Sequence, residues 1–268
     1  MTAAPMDSTI SADGTPIAYW RSGQGDPLVV VHGTTADHIR WRTVLPRLEA
    51  RATVYAMDRR GRGGSGDADG YAITREFADV AAVVDAVAEA CGGPVDLLGH
   101  SYGGVCALEA VLLTANVRRL VLYEPPVLAE PGPPGMAARL QGLLADGRRE
   151  EVVATFFREV AGVGDRELQI LRSLPSWPAR VAAAHTLPRE LRSEDGYAFE
   201  PARFAAVAVP TLLLAGGDSP PFFQASTEAV AAALPDSRVT VLPGQAHIAM
   251  DTAPELFAGA VTAFLYES

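Results

Sequence analysis

The pentapeptide Gly99-His100-Ser101-Tyr102-Gly103 constrains the fold more than any other feature of this chain. It fits the pattern G-x-S-x-G and lies between an apolar, strand-like run at 95–98 and a helix-like run at 105–114. This context predicts a strand, a tight turn with a serine at its tip, and then a helix. The two glycines relieve crowding at such a turn, so we expect the Ser101 hydroxyl to be exposed at a helix N-terminus.

A serine in this position needs partners, because an alcohol is a weak nucleophile near neutral pH and requires a base and an orienting acid. Asp218 follows the apolar run 211–215, and His247 follows the run 239–242 on a Pro-Gly loop. Both come at the C-terminal end of a predicted strand, the edge where open α/β sheets place their ligands. The sequence therefore predicts a triad of Ser101, Asp218 and His247. Glu124 also ends a core strand at this edge and is the alternative acid.

Two more motifs precede the pentapeptide. Residues 29–34 read Val-Val-Val-His-Gly-Thr, and residues 58–65 fit the pattern D-x-R-G-x-G-x-S. With these motifs in order, the chain resembles the α/β-hydrolase superfamily over nearly its whole length, in particular the serine-nucleophile members with a helical cap, such as esterases, lactonases and perhydrolases. The resemblance implies an α/β-hydrolase fold, with a mostly parallel central sheet, helices on both faces and a helical cap insertion.

The resemblance also implies an oxyanion hole made of two backbone N–H groups, those of Tyr102 and Thr34. Many members of the superfamily carry an aromatic residue or glycine, followed by Gly or Pro, where this chain has Thr34-Thr35, so the shape of the acyl group stays open. Candidates for substrate binding are Thr35, His38, Trp177 and Phe222. Each of these side chains also suits ordinary packing.

The alternation of strands and helices is interrupted once. Between 127 and 201 we predict no strand, but helices near 136–145, 149–161, 165–174 and 177–191, entered through a Pro/Gly-rich linker at 131–135. We interpret residues 1–127 and 201–268 as the α/β-hydrolase core and residues 128–200 as the cap segment. Two cysteines in predicted helices indicate buried thiols rather than a disulfide framework.

The composition of the chain limits which classes of binding partner and cofactor we expect. The chain has 268 residues, a net charge of −10 and no lysine, which argues against nucleic acid and excludes a P-loop. The G-x-G-x-x-G at 61–66 is not followed directly by a helix, and no Cys/His spacing suits zinc, so we expect no cofactor and no metal.

The N-terminus lacks a signal segment and no apolar run reaches membrane-spanning length. We expect a soluble, cytoplasmic protein with a small-molecule substrate and no membrane partner; a homodimer formed through the cap segment is compatible with this.

These residues predict a cofactor-independent serine hydrolase that cleaves a small to medium apolar ester or lactone through an acyl-enzyme on Ser101. By resemblance, the same triad also serves C–C bond hydrolysis, peroxyacid formation and acyl transfer. A non-hydrolytic ligand-binding or cyclase-type protein with a retained triad is an alternative of a different class.

Overall fold

The computed structural model describes residues 6–128, 133–192 and 197–266, so residues 1–5 and part of the 131–135 linker lie outside the described residues. Its centre is an eight-stranded sheet in the order β1-β2-β4-β3-β5-β6-β7-β8. The strands are β1 (Met6–Ile10), β2 (Pro16–Gly23), β3 (Asp26–Val31), β4 (Ala52–Met57), β5 (Val95–His100), β6 (Val117–Tyr123), β7 (Thr211–Gly216) and β8 (Ser237–Leu242). Strand β2 pairs antiparallel with β1 and β4, and all other pairings are parallel. The expected mostly parallel α/β sheet is confirmed.

Helices cover both faces of the sheet. The helices are α1 (Leu45–Leu48), α2 (Ile73–Cys91), α3 (Tyr102–Ala110), α4 (Met136–Ala145), α5 (Arg149–Glu159), α6 (Asp165–Ser173), α7 (Trp177–Ala182), α8 (Leu187–Glu190), α9 (Pro221–Ala233), α10 (Ala249–Thr252) and α11 (Pro254–Tyr266). Helices α2, α3 and α9 pack on one face, and α1 and α11 pack on the other. Successive side chains of β3 alternate between the two cores, Val29 in one and Val30 in the other, as the two-residue period of a strand requires. None of the described helices is long and apolar enough to cross a bilayer.

Helices α4–α8 lie between β6 and β7, and the described part of residues 128–200 contains no strand. Their apolar faces form a third hydrophobic cluster that includes Leu140, Val152 and Leu168, together with Ile248 from the core. The single helix expected at 177–191 is divided into α7, a short 3-10 turn and α8, because Pro188 lacks the N–H that a continuous helix needs. We keep the name cap segment for residues 128–200; its boundaries stay a prediction.

The turn between β5 and α3 has the geometry that the G-x-S-x-G pattern predicts. Ser101 lies between the last residue of β5 and the first of α3, with φ 56° and ψ −128°. A Cβ atom on Gly103 would lie 2.6 Å from the carbonyl oxygen of Val31, and one on Gly99 would lie 2.6 Å from that of Gly103. Only glycine fits such close backbone approaches. The nucleophile candidate is therefore held in a strained conformation by tight packing of β3, β5 and α3.

Candidate active site

Ser101 lies at the N-terminus of α3 and lines a cavity of about 270 Å³ together with Thr34, Tyr102 and His247. The N–H of Tyr102 belongs to the first turn of α3, where backbone N–H groups have no partner within the helix. Gly33 packs so closely on the serine that a Cβ there would lie 2.8 Å from Ser101 Cβ. The structure thus brings the loop after β3 against the nucleophile candidate, as an oxyanion hole built from Thr34 and Tyr102 requires.

A buried histidine braces this loop. His32 Nε2 accepts the N–H of Arg59 at 3.1 Å, which leaves the proton on Nδ1 to be donated to the carbonyl oxygen of Gly33 at 2.8 Å. Burial lowers the pKa of His32 well below its usual value, and nearby arginines lower it further. The imidazole therefore stays neutral, and each ring nitrogen is fixed in one role. His32 supports the loop, and does not belong to the reacting groups.

His247 lies on the loop after β8 and is held from several sides. Its ring stacks on Phe223 at 4.1 Å between centroids, and its carbonyl oxygen accepts a hydrogen bond from His100 Nε2 at 2.9 Å. The hydroxyl of Tyr123 donates to the carbonyl oxygen of Ala246, the preceding residue. Burial lowers the pKa of His100 well below its usual value, with a contribution from His247, so His100 is a neutral donor. These contacts fix the imidazole of His247 at the cavity.

The acid that contacts His247 is Glu124. Its Oε2 accepts a hydrogen bond from His247 Nδ1 at 2.6 Å, and its Oε1 accepts the N–H of Gly216 at 2.7 Å. The carboxylate is fully buried, directly after β6, on a residue with φ 48°. A proton on Nδ1 leaves Nε2 of His247 as the free acceptor, which is the tautomer that a general base needs.

The expectation that Asp218 orients His247 does not fit this structure. Asp218 is exposed on the loop after β7, and its N–H donates to the carbonyl oxygen of Gln245 at 2.9 Å. Two residues earlier, Gly216 turns its N–H towards the carboxylate of Glu124. The acid that the sequence analysis carried as the alternative therefore occupies the place predicted for Asp218, because the N–H of Gly216 and Nδ1 of His247 both bind its carboxylate.

The cavity is lined mainly by apolar side chains of the cap segment and the core. They include Phe156, Phe157, Leu171, Phe222, Phe223 and Ile248. Of the four predicted substrate-binding residues, Phe222 is thus the one that lines the cavity. A volume near the lower end of the range for ligand pockets suits a small to medium substrate. Charged groups also line it, among them Arg180 and Glu167 from the cap segment.

The other three substrate-binding candidates have different positions. Thr35 is fully buried with φ 61°, and its Oγ1 accepts a hydrogen bond from Arg180 Nη1 at 2.9 Å. Trp177 packs in the hydrophobic cluster of the cap segment. His38 stacks on Trp20 and bonds to Asp58 through Nδ1 at 2.9 Å. None of the three is among the residues that line the cavity.

His38 also belongs to a cluster with Asp37 and Asp58, whose ligand-type atoms lie within 4.8 Å of one another. The oxygens of Asp58 already accept hydrogen bonds from Trp20 Nε1 and from the N–H groups of His38 and Gly64. These bonds, at 2.7–2.9 Å, explain the buried carboxylate as a brace for the turn after β4. The cluster therefore needs no ion to account for it.

Residues 28–260 match the profile of the Alpha/beta hydrolase family. This chain belongs to that family. A crystal structure of an alpha/beta hydrolase from Sphaerobacter thermophilus DSM 20745 superposes with a TM-score of 0.82 at 36% identity, covering 97% of this chain and 100% of the other.

Two curated relatives extend the likeness of this alpha/beta hydrolase. The 2-hydroxy-6-oxo-6-(2'-aminophenyl)hexa-2,4-dienoic acid hydrolase of Metapseudomonas resinovorans is 26% identical over 98% of this chain and 92% of its own length. The 2-(acetamidomethylene)succinate hydrolase of Mesorhizobium japonicum is 27% identical over 91% of this chain and 89% of its own length. The match to named hydrolases supports the assignment of this chain as a hydrolase.

In this alpha/beta hydrolase, the turn after β4 places three arginines in the interior, which the sequence analysis did not foresee. Arg59 bonds to Glu76 on α2 and to Glu190 on α8, and Arg62 pairs with the same Glu190. Arg59 also lies over the ring of Tyr102 at 4.3 Å. Glu190 thus ties the cap segment to the core beside the cavity. The signal in the sequence was the Arg-rich turn Asp58-Arg59-Arg60-Gly61-Arg62, since buried arginines require carboxylate partners.

Proposed function

We propose that this protein is a cofactor-independent serine hydrolase in which Ser101, His247 and Glu124 cleave a small to medium ester or lactone. The observation that carries the proposal is the hydrogen bond of 2.6 Å from His247 Nδ1 to a buried carboxylate, at the same cavity as a serine on a strained strand-to-helix turn. This combination sets the tautomer of a base next to a nucleophile.

In the proposed reaction, Ser101 Oγ attacks the substrate carbonyl while His247 Nε2 takes its proton. The backbone N–H groups of Thr34 and Tyr102 receive the negative charge that develops on the carbonyl oxygen. Glu124 stabilises the imidazolium that forms, and His247 then protonates the leaving alcohol. Water, activated by the same histidine, attacks the acyl-enzyme and releases the acid and the free serine.

The cavity supports an acyl group with apolar parts. Phe157 and Leu171 from the cap segment and Phe223 from the core lie on its walls. Burial of apolar substrate against these walls stabilises binding by roughly 25 cal/mol per Å² of apolar surface.

The test is steady-state hydrolysis of p-nitrophenyl esters from acetate to decanoate by the wild type and by Ser101→Ala. Ser173→Ala is the matched control, because that serine lies on α6, is not among the residues that line the cavity, and donates its hydroxyl to the carbonyl oxygen of Ile170. We expect Ser101→Ala to lose at least about 10³-fold in kcat and Ser173→Ala to retain the wild-type rate. Equal turnover by wild type and Ser101→Ala would refute the serine mechanism.

Carbon–carbon bond hydrolysis next to a ketone is the second candidate. It is favoured by the name of the Metapseudomonas resinovorans relative, a hydrolase of an oxo acid. The two candidates are distinguished by assaying a 6-oxo-2,4-dienoic acid beside the esters. Turnover of the oxo acid with a kcat/KM at least tenfold above that of every ester would favour the second candidate.

A further inference from the structure

Arg180, in the wall of the cavity, differs from the other buried arginines because none of the described carboxylates forms an ion pair with it. The buried arginines are Arg40, Arg59, Arg60, Arg62 and Arg180. Four of them form ion pairs, Arg40 with Asp251, Arg59 with Glu76, Arg60 with Asp79 and Arg62 with Glu190. Among the described residues, no carboxylate forms an ion pair with Arg180. Because an isolated buried charge costs free energy, we expect Arg180 to bind an anionic group.

Arg180 lies on α7 and is only 3% exposed. Its Nη1 donates to Thr35 Oγ1 at 2.9 Å, while its Nε is buried without a partner among the described residues. Burial lowers the pKa of Arg180 to about 9, with a further contribution from the repulsion of Arg40. The carboxylates of Asp37 and Asp251 attract it only from beyond contact distance. At neutral pH the guanidinium therefore remains protonated, and its charge is incompletely compensated.

Other buried arginines of this molecule show how the Nε and Nη2 edge of a guanidinium binds a carboxylate. Arg59 donates from Nε and Nη2 to the two oxygens of Glu76 at 2.6 and 2.8 Å. Arg60 donates from the same two atoms to Asp79, both at 2.7 Å. In Arg180, no described residue accepts a hydrogen bond from Nε or Nη2, while Thr35 binds Nη1 on the other side. The planar edge of a guanidinium matches a carboxylate in both spacing and direction.

We propose that the substrate carries a carboxylate, and that this group binds side-on to Nε and Nη2 of Arg180. The inference rests on the proposed function and names its substrate class, a hydrolysable compound with an apolar body and one carboxylate. Thr35 is adjacent in sequence to Thr34, whose N–H belongs to the proposed oxyanion hole. The carboxylate of the substrate thus lies on the same side of the cavity as the oxyanion loop.

The other charged residues at the cavity do not serve this role. Arg40 pairs with Asp251, and Arg192 is exposed, where water screens its charge. Glu190 is neutralised by two arginines. Glu167 interacts electrostatically with the His247 and Glu124 pair rather than with Arg180, and burial raises its pKa. Arg180 is therefore the buried cation that remains for an anionic group of the substrate.

The test compares esters that differ only in a carboxylate and its isosteric isopropyl group. One pair places the group on the acyl side, monoethyl adipate against ethyl 6-methylheptanoate. The other pair places it on the alcohol side, 4-acetoxybenzoate against 4-isopropylphenyl acetate. The enzymes are the wild type, Arg180→Met, Arg180→Lys and the control Arg139→Met, which removes an exposed cap-segment arginine paired with Glu159.

We expect the wild type to prefer the carboxylate member of one pair by at least about tenfold in kcat/KM, and that pair identifies the side of the ester bond. Arg180→Met lowers this ratio by about 10- to 100-fold, mainly through KM, as the loss of a charge-assisted bidentate contact predicts. Arg180→Lys retains part of the ratio because it keeps the charge but not the planar edge. Arg139→Met leaves the ratio unchanged.

Two results would overturn the proposal. The first is a wild-type preference for the neutral member in both pairs. The second is an equal loss on both members in Arg180→Met, which would assign Arg180 a purely structural role through Thr35. The binding of monoethyl adipate to Ser101→Ala and to Ser101→Ala/Arg180→Met, measured by calorimetry, gives the same comparison without turnover. Failure of the serine mechanism is thus separated from failure of the carboxylate site.

Discussion

Replacement of Glu124 by glutamine is the sharpest test of the site. The side chain keeps its size, and its amide oxygen can still accept the N–H of Gly216, which now holds Oε1 at 2.7 Å. The amide NH₂ then faces His247 Nδ1, where the carboxylate now accepts a hydrogen bond at 2.6 Å. An NH₂ group can only donate there, so Nδ1 becomes the acceptor and the proton moves to Nε2. The histidine is then in the wrong tautomer to take the proton of Ser101.

The magnitude follows from the contacts that are lost in the productive tautomer. A hydrogen bond to a charged acceptor contributes about 1.5–3 kcal/mol, and the Nδ1–H donor left without an acceptor costs about 1–3 kcal/mol more. Together these amount to about 2.5–6 kcal/mol, which corresponds to a fall of about 10²- to 10⁴-fold in kcat. We expect no comparable loss in Asp218→Asn, because Asp218 is exposed and contacts the loop of His247 through its backbone N–H.

The assay is kcat on the best p-nitrophenyl ester for the wild type, Glu124→Gln and Asp218→Asn, with circular dichroism and thermal melting to establish that all three are folded. A loss confined to Glu124→Gln agrees with the geometry. The reasoning is refuted if Asp218→Asn loses 100-fold or more while Glu124→Gln stays within tenfold of the wild type.

Three further predictions concern stability. Gly103→Ala places a Cβ 2.6 Å from a backbone carbonyl oxygen of β3, so the melting temperature should fall by several degrees or the protein should fail to fold. At the control position Gly142 on α4, nothing lies within 4 Å of an added Cβ, so Gly142→Ala should stabilise the protein by up to about 1 kcal/mol. Burial raises the pKa of Glu76, but Arg59 and a second arginine outweigh this effect and hold the pKa at about 2, below the ordinary 4.5. The resulting contribution to the free energy of unfolding, on the order of 3 kcal/mol, is present above pH 5 and lost as the pH falls from 4.5 to 2. In urea unfolding across this range, the free energy of unfolding of Glu76→Gln should therefore depend less steeply on pH than that of the wild type. Glu190→Gln leaves two buried arginines short of a carboxylate, so we expect a loss of about 3 kcal/mol or more and faster limited proteolysis within the cap segment; an unchanged cleavage rate would show that this residue does not hold the segment to the core.

Most of the sheet could be predicted from the sequence because its strands are short, apolar and bounded by turn residues. The apolar run at 95–98 lies within β5, and the runs 211–215 and 239–242 lie within β7 and β8. The helix expected at 177–191 was wrong in extent, since the structure has α7, a 3-10 turn and α8 in its place. Short amphipathic segments that contain proline carry too weak a periodic signal to fix their ends.

The choice between two acids was beyond the sequence. Glu124 and Asp218 both follow strands at the same edge of the sheet, and neither periodicity nor spacing ranks them. The choice depends on the N–H of Gly216, which fixes the carboxylate of Glu124 beside His247. Arg180 was missed for a similar reason, since a single arginine in an Arg-rich cap segment gives no signal until its neighbours are known.

The backbone conformation of Ser101 has a consequence for how such sites can be found. Among the described residues, the non-glycine residues with positive φ are Thr35, Ser101 and Glu124. They follow β3, β5 and β6, which are neighbours in the sheet. A search for positive φ angles alone would thus select the proposed oxyanion loop, nucleophile and acid together. Glycine at any of these positions would relax the backbone. The proposed catalytic site and the most stable fold thus have different requirements, and packing in the sheet maintains the strained conformations.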